Sequence, residues 1–208
     1  MIFMCSRKRP KLLQRFFMVS RPLLPGRVLI DEDDSSYENM ELPPHWKFSK
    51  ALRASTVVRL NGAQAMYPDE DYYAVICDDM MIGPSGWDTR LKEAAARNHV
   101  AWGDDRKWGD KLCTSFFVGG DLVRTMGFLQ HPAFGHLFVD KIWWEIAQGA
   151  GLARYCPDVI VQHTKVADET YLQRSIRGDR EMFDELKKNG TLKDLIERAK
   201  DGHPVHIS

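Results

Sequence analysis

A chain of 208 residues with 44% hydrophobic side chains can enclose one full core, burying roughly 70% of its unfolded surface, so a single domain is expected. Its 29 basic and 29 acidic side chains cancel, which excludes a global field drawing it to nucleic acid or membrane; polyanion binding would have to be local. Cys5, Cys77, Cys113 and Cys156 are far apart and form no C-x-x-C pair, against a zinc knuckle or a disulfide framework, and are read as reduced thiols. No apolar stretch approaches ~20 residues, so no membrane span is expected. In the N-terminal MIFMCSRKRPKLLQRFF the charge follows the apolar run and no uncharged stretch is long enough for a signal peptide, so the expected location is cytoplasmic.

In chain order, Ile2 to Cys5 reads as a strand, and Pro10 suits the first turn of a helix over Lys11 to Val19 with Leu12, Leu13, Phe16 and Phe17 inward. The intervening Ser6 to Arg9 is polar and basic: either a meeting point for an anion or solvated charge beside a strand end. Val28 to Ile30 is a second short strand, followed by Asp31, Glu32, Asp33 and Asp34. This is an acidic loop, or a carboxylate placed to accept hydrogen bonds from a base or ribose, as after the strand of a dinucleotide site. Glu38 to Ser49, with Pro43, Pro44 and Trp46, is expected to be irregular, and Lys50 to Tyr67 to be a strand or loop running into a helix.

Tyr73 to Cys77 is a short apolar run rich in β-preferring side chains, consistent with a strand covered on both faces. Asp78 and Asp79 end it, and Gly83, Pro84, Ser85 and Gly86 then turn the chain. The two carboxylates are thereby set at a strand end, where open α/β sheets hold ligands. They either cap a turn or hold a metal and a nucleoside diphosphate; Mn²⁺ or Mg²⁺ needs only one or two protein carboxylates when phosphate and water complete its shell.

Further on, the pattern predicts a helix over Trp87 to Arg97, a strand at Val100 to Trp102, a strand over Leu112 to Val118, and a helix over Leu122 to Leu129 capped by Asp121. The aromatic helix Leu137 to Gln148 carries Asp140, Trp143 and Trp144, which spacings of three and four place side by side. The two tryptophans either pack in the core or floor a sugar subsite. A last strand ends at His163, either a structural histidine or a ligand. Helices over Glu169 to Lys188 and from Thr191 to about Lys200 then carry Arg174, Arg177 and Arg180. Strands alternating with helices, then a helical tail, give an α/β fold with a mostly parallel sheet.

In this order the landmarks resemble the GT-A fold glycosyltransferases that use nucleotide sugars, of the family-2 type and its short phage-like relatives. The segments that carry the resemblance are IFMC-SRKRP-KLLQRFF, VLIDEDDSS, RLNGAQAMYPDEDYYAVICDDMMIGPSGW, SFFVGGDLV, GHLFVDKIWWEIAQGAG and PDVIVQH, over about residues 1 to 165. Where that family has D-x-D, the chain has Cys77, Asp78, Asp79 and Met80; where the family has an acidic pair at the start of the aromatic helix, it has Val139 and Asp140.

The resemblance implies a single GT-A, Rossmann-like domain over residues 1–165 with a C-terminal helical extension over 166–208 packed on it. It implies a metal-dependent, inverting hexosyltransferase that moves a sugar from a UDP-sugar to an acceptor hydroxyl. Cys5, Ser6, Arg7, Asp31, Arg59 and Asn61 would line the uridine side. Asp78 and Lys165 would meet the diphosphate, and Asp79 and His163 the Mn²⁺ or Mg²⁺. Asp140 would be the general base, with Trp143, Trp144 and Gly119 in the sugar or acceptor subsite. The acceptors it suggests are a hydroxymethyl pyrimidine in phage-type DNA or a virion protein, in a host cytoplasm if the protein is viral. Two other readings of the residues are a nucleotidyltransferase, although SRKRP contains no phosphate-cradling glycine, and a non-catalytic nucleotide- or carbohydrate-binding module.

Overall fold

A computed structural model describes residues 1–164 and 176–202, with side chains absent from the description at 176 and 177. Eight strands form one mixed sheet in the order β3-β2-β1-β4-β7-β6-β8-β5 among the described residues. They are β1 (Ile2–Cys5), β2 (Gly26–Asp31), β3 (Trp46–Ala51), β4 (Tyr72–Cys77), β5 (Met80–Gly83), β6 (Val100–Asp104), β7 (Phe117–Gly119) and β8 (Ala153–His163). The β1–β2, β1–β4, β2–β3 and β6–β8 pairs are parallel, whereas β7 runs antiparallel to β4 and β6, and β5 antiparallel to β8.

Seven helices flank the sheet: α1 (Pro10–Ser20), α2 (Thr56–Met66), α3 (Trp87–Ala95), α4 (Gly120–Met126), α5 (Val139–Ala150), α6 (Ile176–Lys188) and α7 (Thr191–Asp201), again among the described residues. Strand alternation divides the core between the two faces. On β1, Ile2 and Met4 pack with Leu13 and Phe16 of α1 and Leu91 of α3. Phe3 faces the other way, into a core built from Leu60 of α2, Leu122 of α4, Trp143 of α5, Phe183 of α6 and Leu195 of α7. The C-terminal helices thus share the larger core with the strands that carry the acidic residues.

β3 occupies the end of the Pro-containing stretch expected to be irregular and runs into Lys50 and Ala51, where a strand or loop was expected; it is an edge strand whose Lys47, Lys50 and Ala51 remain largely in solvent. β5 begins immediately after Asp79, in place of an uninterrupted turn, because Met80 to Gly83 pairs with Ile160 to His163 about eighty residues away. Conversely, the strand expected from Leu112 reduces to Phe117–Gly119.

This topology gathers the carboxyl ends of β1, β2, β4, β6 and β8 on one side of the sheet. Met80 pairs with His163, so β5 starts where β8 finishes, and Asp79 and His163 come together.

Candidate active site

A cleft of about 510 Å³ opens over these strand ends. It is lined by Cys5, Ser6, Asp31 and Cys77 at the strand ends, by Asp79 and His163, by Arg53 to Thr56 with Arg59, and by Gly135, His136 and Asp179. Another hollow, of about 400 Å³ between the end of α1 and β5, brings no carboxylate, thiol or imidazole together.

Asp31 is buried at the end of β2, with one carboxylate oxygen 2.8 Å from Arg7 Nη1 and the other bonded by Arg59 Nη2. Of the acidic run after β2, Asp31 is the member on the cleft wall. Asp34 instead turns back to accept N–H bonds from Lys8 and Ser36, while Glu32 and Asp33 are exposed. Arg7, Asp31 and Arg59 therefore form one cation–carboxylate–cation unit. A carboxylate has about four acceptor sites, so Asp31 can still accept from a ligand hydroxyl or base.

The adjacent aspartates have different jobs. Asp78 points inward: Ser6 Oγ donates to it at 2.5 Å while also meeting the Tyr37 hydroxyl at 2.6 Å, and Arg9 Nη2 lies 3.0 Å from its other oxygen. Asp78 and the Ser6 hydroxyl thus fasten the β1–α1 loop to the end of β4, and Asp78 does not line the cleft as a diphosphate contact would. Burial lifts its carboxyl to about 6 against the opposing pull of Arg9 and Ser6.

Because native Asp78 keeps its proton to a higher pH than the unfolded chain does, stability of the metal-free protein should fall as pH rises from about 4 to about 6. The shift corresponds to about 3 kcal/mol at most. Urea unfolding of wild type and Asp78→Asn in chelator across that range is expected to show a decline in the wild type that the variant lacks; parallel curves would contradict the assignment.

Asp79 faces the cleft. Its backbone carbonyl accepts from Thr164 N at 2.8 Å, and its carboxylate Oδ1 is 3.4 Å from His163 Nε2. That oxygen is buried and has no hydrogen-bond partner. A buried carboxylate oxygen left without a donor, facing an imidazole nitrogen, fits one edge of a divalent-cation shell; Mn²⁺ takes such an oxygen–nitrogen pair more readily than Mg²⁺ does. Among the described residues no three His, Cys, Asp or Glu side chains assemble into a full ligand set, so phosphate and water oxygens would have to complete the shell.

Cys5 and Cys77 are register partners on β1 and β4, Cys5 half-buried and Cys77 exposed, and both line the cleft as thiols. Several other expected site residues lie elsewhere. Asn61 braces the chain after α4: its amide donates to Gln130 O and accepts from Leu129 N and Gln130 N. Two positions beyond Arg59, it is turned about 200° around the helix and cannot share the cleft face.

Gly119 pairs with Tyr72, at the opposite end of β4 from Asp79. There, a Cβ would come within 2.1 Å of the Arg97 backbone. Gly119→Ala should therefore cost about 3 kcal/mol or more in stability, read from a denaturant midpoint, with nucleotide affinity of the folded protein unchanged; a stable variant with lost affinity would return Gly119 to the site.

Trp143 is a core residue, fully buried, with Nε1 donating to Leu129 O and its ring against Phe116 and Phe128. Trp144 is partly buried, donates to Asp110 O, and has Lys141 Nζ 3.8 Å from its ring centre, so that face is already covered. Asp140, in the first turn of α5, accepts from Lys141 N at 2.8 Å, and its carbonyl accepts from the Cys113 thiol. Burial raises its carboxyl above the usual range. It is not one of the residues lining the cleft; the segment Cys113 to Ser115 links it to Met80, beside Asp79, through the Ser115 Oγ contact with Met80 Sδ. Lys165 lies outside the described residues.

Arg9 falls in the basic Ser6 to Arg9 turn, one reading of which was a meeting point for an anion; Arg53, Thr56, His136 and Asp179 were not singled out from sequence and reach the cleft only through tertiary packing.

No family model and no curated sequence matches the chain. Solved structures do share its fold. The "Mannosyltransferase PcManGT from Pyrobaculum calidifontis in complex with GDP-Man and Mn2+" superposes with a TM-score of 0.64 at 12% identity, over 98% of this chain and 69% of that one. A putative glucose-1-phosphate thymidylyltransferase from Bacillus anthracis, in complex with a sucrose, gives a TM-score of 0.50 at 12% identity, over 88% and 95% of the two chains. The fold is thus the GT-A-like, Rossmann-type α/β arrangement expected from the sequence.

Proposed function

We propose that the protein is a metal-dependent glycosyltransferase that takes a sugar from a nucleoside-diphosphate donor, with a UDP-sugar as the first candidate, and delivers it to an acceptor hydroxyl. The observation that carries this reading is the buried Asp79 oxygen that makes no hydrogen bond and faces His163 Nε2 at 3.4 Å, in the same cleft as the Arg7–Asp31–Arg59 unit. The fold shared with a mannosyltransferase bound to GDP-Man and Mn²⁺ is consistent with it.

In this mechanism Asp79 and His163 would hold a divalent cation. When bound, it supplies Lewis-acid compensation for charge on the departing diphosphate. Arg7 and Arg59, fixed by Asp31, set the nucleoside end and add positive potential to the cleft; Cys5 gives it an apolar floor. Ser6 and Asp78 act indirectly, by holding the β1–α1 loop that presents Arg7. Asp140, which lies outside the cleft lining and connects to Met80 through Cys113 to Ser115, is the proposed base, and would take the proton of the attacking hydroxyl in an inverting single displacement only with the acceptor entering from that side.

A hydroxymethylated pyrimidine in DNA and a protein side chain are the acceptors to compare. A chain with 29 basic and 29 acidic residues has no net charge to attract DNA, so a DNA acceptor would have to show a steep salt dependence from local contacts.

The test is a panel of UDP-, GDP- and dTDP-sugars with Mn²⁺, followed by release of nucleoside diphosphate and by thermal shift. Slow release from at least one donor, dependent on Mn²⁺, is expected. No release and no thermal shift with any donor would sink the reading, and pyrophosphate formed from a sugar phosphate and a nucleoside triphosphate would replace it with nucleotidyl transfer.

A further inference from the structure

One side of the cleft is lined by Asp179 of α6 and by Gly135 and His136 of the loop before α5. Asp179, in the first turn of α6, is buried and accepts three backbone N–H bonds: from Gly135 at 2.8 Å, His136 at 3.1 Å and Leu137 at 2.8 Å. Three amides converging on one carboxylate make a short, charge-assisted clamp. The next residue, Phe138, is held in the left-handed region at φ 64, with its ring 5.4 Å from that of Phe183 and under Arg180, both on α6. α5 begins at Val139, so the clamp sets the direction in which the helix carrying Asp140 starts. Within the clamped loop, His136 Nδ1 lies 3.1 Å from Thr56 Oγ1 at the start of α2. Gly135, His136 and Asp179 line the cleft together with Asp79, His163 and Arg59.

We infer that Asp179 is a positioning residue: by gripping the amides of Gly135 to Leu137 it fixes His136 on the wall that faces the transferred sugar and orients the start of α5. The consequence for turnover rests on the transferase reading, whereas the clamp itself does not. The fold contains its own control. Asp88 is fully buried and accepts from Leu23 N, Leu24 N and Thr89 N, a clamp of the same chemistry that does not line the cleft.

The experiment compares full-length wild type with Asp179→Asn, Asp88→Asn, His136→Ala and the Asp179→Asn/His136→Ala double variant, by amide hydrogen exchange and by donor turnover. In Asp179→Asn, exchange at residues 135–137 is expected to accelerate about 10-fold or more, and kcat to fall about 10- to 100-fold with nucleoside-diphosphate affinity nearly unchanged. His136→Ala should lower kcat by itself, and the double variant should fall little further, since both act through one wall. Asp88→Asn is expected to lose stability but keep its kcat.

Unchanged exchange at 135–137 in Asp179→Asn would overturn the inference, as would equal losses of turnover in the Asp179 and Asp88 variants or fully additive losses in the double variant. If the wild type turns over no donor, the transferase reading fails while the exchange comparison still decides the clamp: accelerated exchange upholds it and unchanged exchange refutes it. Should Asp179→Asn fold poorly, Asp179→Glu, which keeps the charge, should recover both protection and part of the turnover; failure to recover either would count against the inference.

Discussion

Asp79→Asn is expected to lower kcat/KM by about 10³-fold and to abolish the Mn²⁺ dependence of nucleotide binding. Asp79 Oδ1 is buried, makes no hydrogen bond, and lies 3.4 Å from His163 Nε2. An amide there keeps the shape but removes the negative charge that a hard cation requires. Asp78→Asn provides the contrast. Its carboxylate serves Ser6 and Arg9, so its loss should alter stability and loop order while leaving a measurable metal response. Titrating Mn²⁺ into both variants, with nucleoside-diphosphate binding as the readout, separates the two aspartates. A retained Mn²⁺ response in Asp79→Asn, together with its loss in Asp78→Asn, would reverse their roles.

Asp140→Asn is expected to reduce turnover by about 10²- to 10⁴-fold while leaving nucleotide-sugar binding nearly intact. The carboxyl is raised by burial, opposed by the Lys141 amide and ammonium, so it is a stronger base than an exposed aspartate and keeps its proton to a higher pH. The sign follows directly: activity should be lost as pH falls through the raised value, giving an acid limb above the ordinary carboxyl range, and the residual activity of Asp140→Asn should lack that limb. A profile of kcat against pH for both proteins is the check. Equal loss of donor binding and turnover in the variant would refute the assignment. Because Asp140 is reached from Asp79 through Cys113 to Ser115 and not across the open cleft, Ser115→Ala tests whether that bridge sets the separation; it should affect kcat more than donor affinity.

The parts of this architecture that were legible in the sequence depend on local chemistry. Pro10 after a basic turn begins α1, the apolar run before Asp78 forms β4, and Asp31 ends β2, because short apolar runs stopped by turn residues leave few alternatives. β5 was not legible, since its four residues are a strand only through pairing with β8. Nor was the division between Asp78 and Asp79. Two adjacent aspartates in a turn look alike until Ser6 and Arg9 on one side and His163 on the other are in place.

Asn61 was misplaced for a reason that helix geometry could have corrected, being two residues from Arg59 and so on the other side of α2. For Trp143, both core and subsite packing were open, and the core prevails with Nε1 spent on Leu129 O. Asp179 and His136 meet across more than forty residues of chain, and nothing in the polar pattern of α6 distinguishes a loop clamp from a solvated carboxylate.

The central claim, that the cleft over β1, β2 and β4 binds a nucleoside diphosphate together with a divalent cation, is tested most directly by calorimetric titration of UDP, GDP and dTDP into the protein with Mn²⁺ and with chelator. Saturable binding of at least one nucleotide, strengthened by Mn²⁺ and weakened in both Asp79→Asn and Arg59→Ala, is the expected result. Absence of binding by all three nucleotides in both conditions, or binding indifferent to Mn²⁺ and to both substitutions, would contradict it.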